Sequence, residues 1–172
     1  MKIFYAVDRE GRLNKGEELS LDKHEDISPD FLQSHVDGMF PDGMSVHGEK
    51  YFLSNDSKGN IASPAIELLF EYVRKSDFPE VNSRFQSFFA CETLDDARLF
   101  RNKFGDSSSR IFEIHSSNPS VKVNMNLLSN GSSTLVCSYF AQEYWMGHAG
   151  PDENPFWEVL LSLPILVSTQ VE

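Results

Sequence analysis

An apolar stretch late in the chain constrains the fold more than any other feature of the sequence. Residues 157–163 and 165–171 are rich in aliphatic side chains, and only Pro164 separates the two segments. Proline has no backbone N–H to donate, so within a sheet it is confined to edges, strand ends and bulges. We therefore predict two strands, or one bent strand, over this stretch.

The rest of the chain alternates between the two-residue period of strands and the longer period of amphipathic helices. Strand patterning covers residues 2–8, 87–91, 110–115 and 121–125, with a shorter candidate at 51–53 and a turn-rich loop at 55–60. Helical patterning covers residues 28–40, 63–74 and 93–105, with Ser28 and Thr93 as predicted N-caps, and residues 138–146 are predicted to form a short aromatic-rich helix or turn. We therefore predict an α+β fold in a single domain over residues 1–172, with mixed or antiparallel sheets and flanking helices.

Composition limits the classes of function. The 172 residues are 40% hydrophobic and 24% charged, which suits one globular domain. Lys and Arg total 15 against 26 Asp and Glu, and the resulting net charge of −11 repels phosphate backbones. We therefore expect a protein rather than a nucleic acid as macromolecular partner. No apolar run approaches the ~20 residues of a transmembrane helix, so we expect no membrane partner.

Two further features favour a cytoplasmic location. Cys91 and Cys137 both lie in apolar runs, which is typical of buried free thiols in a reducing compartment. The N-terminal apolar run is short and is soon followed by Asp8 and Arg9, which does not match a secretory signal peptide.

The common catalytic motifs do not occur in the sequence. The five histidines include no pair at three- or four-residue spacing, and no Cys-X-X-Cys accompanies them, so we expect no metal site. Neither a Walker-type lysine loop nor a Gly-X-Gly-X-X-Gly or Gly-X-Ser-X-Gly element occurs. Common hydrolase, kinase and Rossmann dehydrogenase functions are therefore disfavoured.

Glu158 is the first candidate for a functional residue. It lies at the entry to the most apolar strand, directly after Trp157. A carboxylate buried there needs partners, and buried acids of this kind cluster at functional sites. On the exposed face of the strand, the same residue would only interrupt an aggregation-prone run. The alternation of side chains leaves both interpretations open.

Three other segments carry polar or aromatic candidates. Arg84, with Ser83 and Ser87 beside it, precedes a buried strand and suits a phosphate or carboxylate clamp, or else a loop ion pair. Tyr5 and Arg9 place an aromatic ring and a cation at the end of the first strand, in a site or in a surface turn.

An aromatic wall is the third of these candidates. Tyr144 and Trp145 suit either a wall that covers a flat ligand or plain core packing, and packing is the commoner outcome for such residues.

Taken in order, these segments resemble motifs of the ADP-ribosyltransferase superfamily. That superfamily has a polar residue near the end of its first strand, a middle strand with Ser or Tyr that leads into a helix, and a late strand with a glutamate. The corresponding segments here are residues 5–9, 87–97 and 156–161. The whole chain also resembles an uncharacterised bacterial family of similar length, through the Ser-Arg-Phe-Gln-Ser segment at 83–87 and the Tyr-Trp-X-Gly segment at 144–147.

The resemblance implies a toxin-like enzyme that uses NAD as a substrate and Glu158 as its catalytic residue. Arg84 or Arg9 would hold the pyrophosphate, and Ser83 or Ser87 would orient the ribose or the glutamate. The nicotinamide would be covered by an aromatic ring from one of three residues: Tyr5, Phe88 or Trp145.

Two departures from the superfamily pattern bear on the acceptor and on the NAD site. Members that modify arginine have Glu-X-Glu, and Phe156 stands at the first of those positions. The resemblance therefore implies an unknown macromolecular acceptor that is not obviously modified at arginine. Ala6 stands where the first motif usually has Arg or His, so Arg9 or His47 would serve that role.

Two other functions remain as alternatives to ADP-ribosyl transfer. One is an NAD glycohydrolase toxin on the same fold, and the other is a catalytically inert module that binds a protein or a nucleotide.

Overall fold

Two antiparallel β-sheets carry the fold. The computed structural model describes residues 1–54, 58, 60–129 and 131–172. In chain order the strands are β1 (Lys2–Asp8), β2 (Glu18–Leu19), β3 (Ser87–Ala90), β4 (Arg110–Ser116), β5 (Ser120–Asn124), β6 (Trp157–Ser162) and β7 (Ile165–Gln170). One sheet has the strand order β1-β4-β7-β2 and the other has the order β3-β6-β5.

The helices surround these sheets. They are α1 (Asp30–Met39), α2 (Val46–Gly48), α3 (Pro64–Asp77), α4 (Leu94–Phe104) and α5 (Thr134–Trp145). A π-helical turn, Glu49–Leu53, continues α2, and two 3₁₀ turns occupy Arg84–Gln86 and Met125–Leu127. The predicted α+β class, with antiparallel sheets and flanking helices, is confirmed.

The late apolar stretch forms two strands that belong to different sheets. β6 lies between β3 and β5, whereas β7 pairs with β4 and β2. The chain crosses between the sheets at Leu163 and Pro164, where the missing N–H of proline removes no ladder hydrogen bond. The stretch was predicted to form two strands or one bent strand, and it forms two separate strands.

A backbone bridge joins the sheets at one edge. Tyr5 N donates to Cys91 O at 2.9 Å, and Cys91 N donates to Tyr5 O at 2.7 Å. This bridge makes β1 the neighbour of β3, which itself pairs with β6. Both sheets contribute to one shared apolar core, whose members include Phe4, Ala90, Phe112, Val159, Leu161 and Val167.

Helices cover the remaining apolar faces. α3 and α5 pack on the second sheet through a cluster that contains Phe70, Tyr144 and Leu160. α4 covers the β1 and β4 side, where Ala97 contacts Ile111 and Cys91. A separate cluster holds α1 against the π-helical turn and the first 3₁₀ turn, with Val36, Phe40, Met44, Tyr51 and Phe85 buried. Within the described residues, no helix is both long and apolar enough to cross a membrane.

Several predicted element boundaries are wrong. Residues 51–53 lie in the π-helical turn rather than in a strand, because Ser45 caps α2 by accepting a hydrogen bond from Gly48 N at 3.3 Å and the backbone continues helically. Pro29, not Ser28, occupies the N-cap position of α1. α5 begins at Thr134, capped by Ser133, rather than at residue 138. The predicted loop at 55–60 lies largely outside the described residues.

Candidate functional site

A cleft with a volume of about 600 Å³ opens beside the junction of the two sheets. This volume lies within the ~300–1,000 Å³ range of small-molecule sites. Its walls come from β1, from the β3 and β6 strands, from α2 and from the segment between β1 and β2. The predicted site residues that line it are Tyr5, Arg9, His47, Arg84, Ser87 and Glu158. The structure therefore brings most of the predicted site together.

Glu158 is buried in the wall of this cleft. Side chains alternate along β6, so Val159 and Leu161 point into the shared core while Glu158 lies on the opposite face. Its Oε1 accepts hydrogen bonds from Arg84 Nη1 at 2.6 Å and from Tyr144 Oη at 3.1 Å. Only 5% of the residue is exposed, so the alternative of an exposed surface glutamate is wrong.

Arg84 lies behind Glu158 with its guanidinium enclosed. Nε and Nη2 donate to the two carboxylate oxygens of Glu67 at 2.7 and 2.8 Å, and Nη1 donates to Glu158 and to Tyr144. The guanidinium carbon also lies 4.6 Å from the centre of the Phe89 ring. Because these contacts use most of its five N–H groups, the expected bidentate clamp on a pyrophosphate does not fit Arg84.

Glu67 is the main partner of Arg84, and its ionisation depends on nearby positive charge. Burial alone would raise the pKa of this carboxyl group, but Arg84 and His47 hold the pKa well below its usual range. His47 Nε2 lies 3.3 Å from Glu67 Oε1, within ion-pair distance although the geometry of a hydrogen bond is not met. Glu67, Arg84 and Glu158 thus form a buried row of carboxylate, guanidinium and carboxylate, and Glu158 is its end at the cleft.

Tyr144 completes the cluster from α5. Burial raises the pKa of its hydroxyl well above the usual value, and the nearby carboxylates of Glu158 and Glu67 add to this while Arg84 opposes it. The hydroxyl therefore stays protonated and can donate to Glu158. The sequence prediction of an aromatic wall missed this hydrogen-bonding role.

Other predicted residues meet the cleft from its sides. Arg9 Nε donates to Phe104 O at 2.9 Å, and His47 stacks on Tyr51 with ring centres 4.3 Å apart. The Ser87 hydroxyl donates to Ser83 O at 2.7 Å and accepts from Asn82, so it braces the turn that carries Arg84.

Two predicted site residues lie away from the cleft. The Ser83 hydroxyl donates to Glu71 Oε2 at 2.8 Å on the side facing α3. Trp145 is 3% exposed, and its Nε1 donates to Phe70 O at 2.8 Å within the α3–α5 core. The expectation that Trp145 covers a ligand is therefore wrong, because the face of α5 that carries it packs against α3.

Glu67 is a residue of the site that the sequence patterns did not predict. This residue belongs to the buried face of α3, one turn before Glu71 and beside Phe70. Acids rarely occupy the apolar face of a helix unless they are paired, so two glutamates four residues apart among apolar neighbours were the available signal. That signal did not identify Arg84 as the partner.

The described residues contain no group of three or more His, Cys, Asp or Glu side chains that could hold a metal ion. The polar groups that converge on the cleft are a carboxylate, a guanidinium, a phenol and an imidazole, which suit electrostatic and hydrogen-bonding roles toward an organic ligand.

The chain matches a known family model over nearly all of its length. No curated protein matches the chain. A family model described as "Protein of unknown function (DUF2441)" matches residues 4–172, nearly the whole chain. The chain therefore belongs to the DUF2441 family.

Proposed function

We propose that this protein is an NAD-dependent ADP-ribosyltransferase that binds NAD in the cleft and cleaves the bond between nicotinamide and ribose. One observation carries the proposal. The three segments that resemble superfamily motifs lie on β1, β3 and β6, which are successive neighbours, and all three border the same cleft. Glu158, the residue that the resemblance makes catalytic, is buried in that wall.

The chemistry needs a negative charge beside the ribose. When the bond between ribose C1′ and the pyridinium nitrogen breaks, its electron pair neutralises the nicotinamide and positive charge develops on the sugar. A fixed carboxylate at this point stabilises the developing charge. Arg84 and Tyr144 both bind Oε1 of Glu158, so we assign Oε2 to the ribose hydroxyl. The acceptor nucleophile then bonds to C1′ and loses its proton.

The other parts of NAD match the remaining walls of the cleft. Arg9, Arg12 and Lys50 line it, and Arg12 and Lys50 both pair with Glu10, at 3.2 and 2.7 Å. We assign the pyrophosphate to these three cations, with Arg12 and Lys50 exchanging Glu10 for it, because the enclosed Arg84 does not take that role. Tyr5 and Phe88 also line it and offer aromatic faces for the nicotinamide ring.

The acceptor in this proposal is a protein, modified at a residue other than arginine. Phe156 holds the position of the acceptor-binding glutamate of arginine-modifying members, and its ring packs against Phe104 at 5.8 Å between centres. A net charge of −11 disfavours nucleic acid. Cys91 and Cys137 are both free thiols, which suits the reducing cytoplasm where we place the protein.

The test is release of free nicotinamide from NAD by purified wild-type protein and by Glu158→Gln. We expect the variant to fold and to lose activity by about 10²–10³-fold, as when a transition-state electrostatic contact is removed. Glu71→Gln is the matched control, because Glu71 is also buried but pairs with Arg74 and Ser83 rather than with Arg84. Equal turnover by wild type and Glu158→Gln would contradict the proposal.

Labelled NAD and a cell lysate then separate transfer from hydrolysis. Label that becomes attached to a macromolecule supports transfer, whereas nicotinamide released without attached label supports the glycohydrolase alternative. Binding of NAD without any release, with or without lysate, would leave an inert binding module.

A further inference from the structure

The geometry of Arg84 indicates a function other than contact with the ligand. Glu67 receives two parallel hydrogen bonds from Nε and Nη2, the bidentate arrangement that fixes a guanidinium most rigidly. With that edge fixed, Nη1 points at Glu158 Oε1, 2.6 Å away. The orientation of Arg84, and through it that of Glu158, is therefore set by a carboxylate on another element.

The surroundings leave Arg84 little freedom to turn. The guanidinium carbon lies 4.6 Å from the centre of the Phe89 ring and 5.4 Å from that of Tyr144. The Glu67 side chain is fully buried and comes from the first turn of α3. A buried ion pair with further hydrogen bonds is costly to break by removing one partner, since the other charge stays in the interior.

We propose that Arg84 and Glu67 are positioning residues, which hold the Glu158 carboxylate so that one oxygen faces the ribose of NAD. This inference rests on the proposed function. Neither residue touches the substrate: Arg84 acts through Glu158, and Glu67 acts through Arg84. The rotation of Glu158 about its side-chain bonds is thereby fixed before the substrate arrives, which is the preorganisation that transition-state electrostatics needs.

A positioning function has kinetic consequences that differ from those of a binding or a purely structural function. A misplaced carboxylate slows the chemical step, so kcat falls while KM for NAD stays the same. An arginine that clamped the pyrophosphate would instead raise KM on substitution. A residue that only stabilises the fold would lower the unfolding midpoint and leave both constants of the folded protein unchanged.

The experiment measures kcat and KM for nicotinamide release, together with the unfolding midpoint, in wild type, Glu67→Gln, Arg84→Lys and Glu71→Gln. Glu67→Gln keeps an acceptor for Arg84 and changes side-chain volume little, so it is the principal variant. We expect kcat to fall about 10- to 100-fold in Glu67→Gln and in Arg84→Lys at unchanged KM.

Glu71→Gln provides the matched control on the same helix. Glu71 also makes a bidentate pair with Arg74, at 2.9 and 3.1 Å, and accepts from Ser83 Oγ at 2.8 Å, an acceptor role that glutamine keeps. It contacts neither Arg84 nor Glu158 among the interactions of the described residues. We expect it to lower the unfolding midpoint as much as Glu67→Gln does and to leave kcat and KM at wild-type values.

The outcomes separate this inference from the proposed function. A wild-type protein that releases no nicotinamide overturns the proposed function and the positioning role with it. Active wild type, inactive Glu158→Gln and unchanged kcat in Glu67→Gln overturn the positioning role alone. A raised KM in Arg84→Lys at constant kcat would show that Arg84 binds the ligand.

Discussion

The residues that contact the buried side chain of Arg84 are distant from it in sequence. Its two carboxylate partners lie 17 and 74 positions away, and the phenol that it contacts lies 60 positions away. The local segment around Ser83 and Ser87 is compatible with a phosphate clamp or with an ion pair. Long-range contacts select the ion pair, and no local pattern contains that information.

The ionisation of Glu67 makes stability depend on pH. Its pKa in the folded protein is lowered from the ordinary value of 4.5, with Arg84 and His47 outweighing the effect of burial. A lowered pKa in the folded state gives stability that is fully present above about pH 4.5 and is lost as the pH falls further. We expect the unfolding free energies of wild type and Glu67→Gln to differ by a constant amount from pH 7 to 5 and to converge below that.

Urea unfolding of both proteins at pH 7, 5, 4 and 3 measures this difference. Glu71→Gln serves again as the control for loss of a buried carboxylate. A gap between wild type and Glu67→Gln that stays the same down to pH 3 would show that Glu67 does not contribute through its charge.

Cys91 gives a second prediction for a single residue. Burial raises the pKa of its thiol to about 12, and the charges of Asp96 and Glu158 add to this effect. The thiolate is the reactive form, so the folded protein should resist alkylation at pH 8 although Cys91 lies along the cleft.

Iodoacetamide labelling of a Cys137→Ala variant isolates this thiol, with mass spectrometry as the measurement. We expect labelling in 8 M urea and very little in buffer over the same time. Rapid labelling of the native protein would mean that Cys91 is a reactive, accessible thiol.

At the scale of elements, α2 depends on a glycine that allows close backbone contact. A Cβ added at Gly48 would lie 2.4 Å from Phe85 O and 2.8 Å from Met44 Cβ, and a backbone carbonyl cannot easily move aside. We expect Gly48→Ala to lower the unfolding free energy by about 1–3 kcal/mol, as in other overpacked sites. A movement of α2 that makes room for this Cβ would also shift His47, which precedes Gly48.

Gly38 in α1 provides the comparison for this substitution. A Cβ at Gly38 meets nothing within 4 Å, so Gly38→Ala should stabilise the helix by roughly 0.5–1 kcal/mol. If close packing is the cause, denaturant unfolding should show a lower free energy of unfolding for Gly48→Ala and a higher one for Gly38→Ala. A Gly48→Ala protein as stable as wild type would show that α2 can move away from the first 3₁₀ turn.

Most elements were predictable because their patterns are local. The alternation in β1 and β4, and the capping of α4 by Thr93, whose hydroxyl accepts from Asp96 N, follow from short segments of sequence. The assignment of β6 and β7 to different sheets depends on their pairing with β3 and β4. The two-residue period of a strand does not show which other strand it pairs with. Residues 51–53 have the composition of a strand, but the cap and the packing of α2 favour a helical turn.

At the scale of the whole molecule, the cleft combines segments from nearly the full length of the chain. Its lining runs from Tyr5 to Leu163, across both sheets and α2. Glu158, Arg9 and His47 are predictable as candidates from residue type and from the order of the segments that carry them. Their convergence could not be predicted in the same way, because it depends on the bridge that places β1 beside β3.

A ligand bound between so many segments should stabilise all of them together. We expect NAD to raise the unfolding midpoint of Glu158→Gln, a variant that binds the dinucleotide without consuming it. Binding to the folded state alone adds about 2.7 kcal/mol when the ligand concentration is 100 times Kd. Differential scanning fluorimetry over a range of NAD concentrations measures the shift, with ADP-ribose and nicotinamide as separate ligands.

An Arg9→Ala change in the same background should reduce the shift with NAD and with ADP-ribose but not with nicotinamide. A midpoint that stays constant up to millimolar NAD would contradict a dinucleotide site in the cleft.

The strand pairing also governs when the chain can fold as it is synthesised. Lys2–Asp8 pairs with Arg110–Ser116, and Ser87–Ala90 pairs with Trp157–Ser162. At translation rates of ~5–20 residues per second, the first strand waits roughly 5–20 s for its partner to be made. Throughout that interval its backbone edge and its apolar residues, Phe4 and Ala6, have no sheet to join. Neither sheet can therefore be completed until the late strands β6 and β7 emerge.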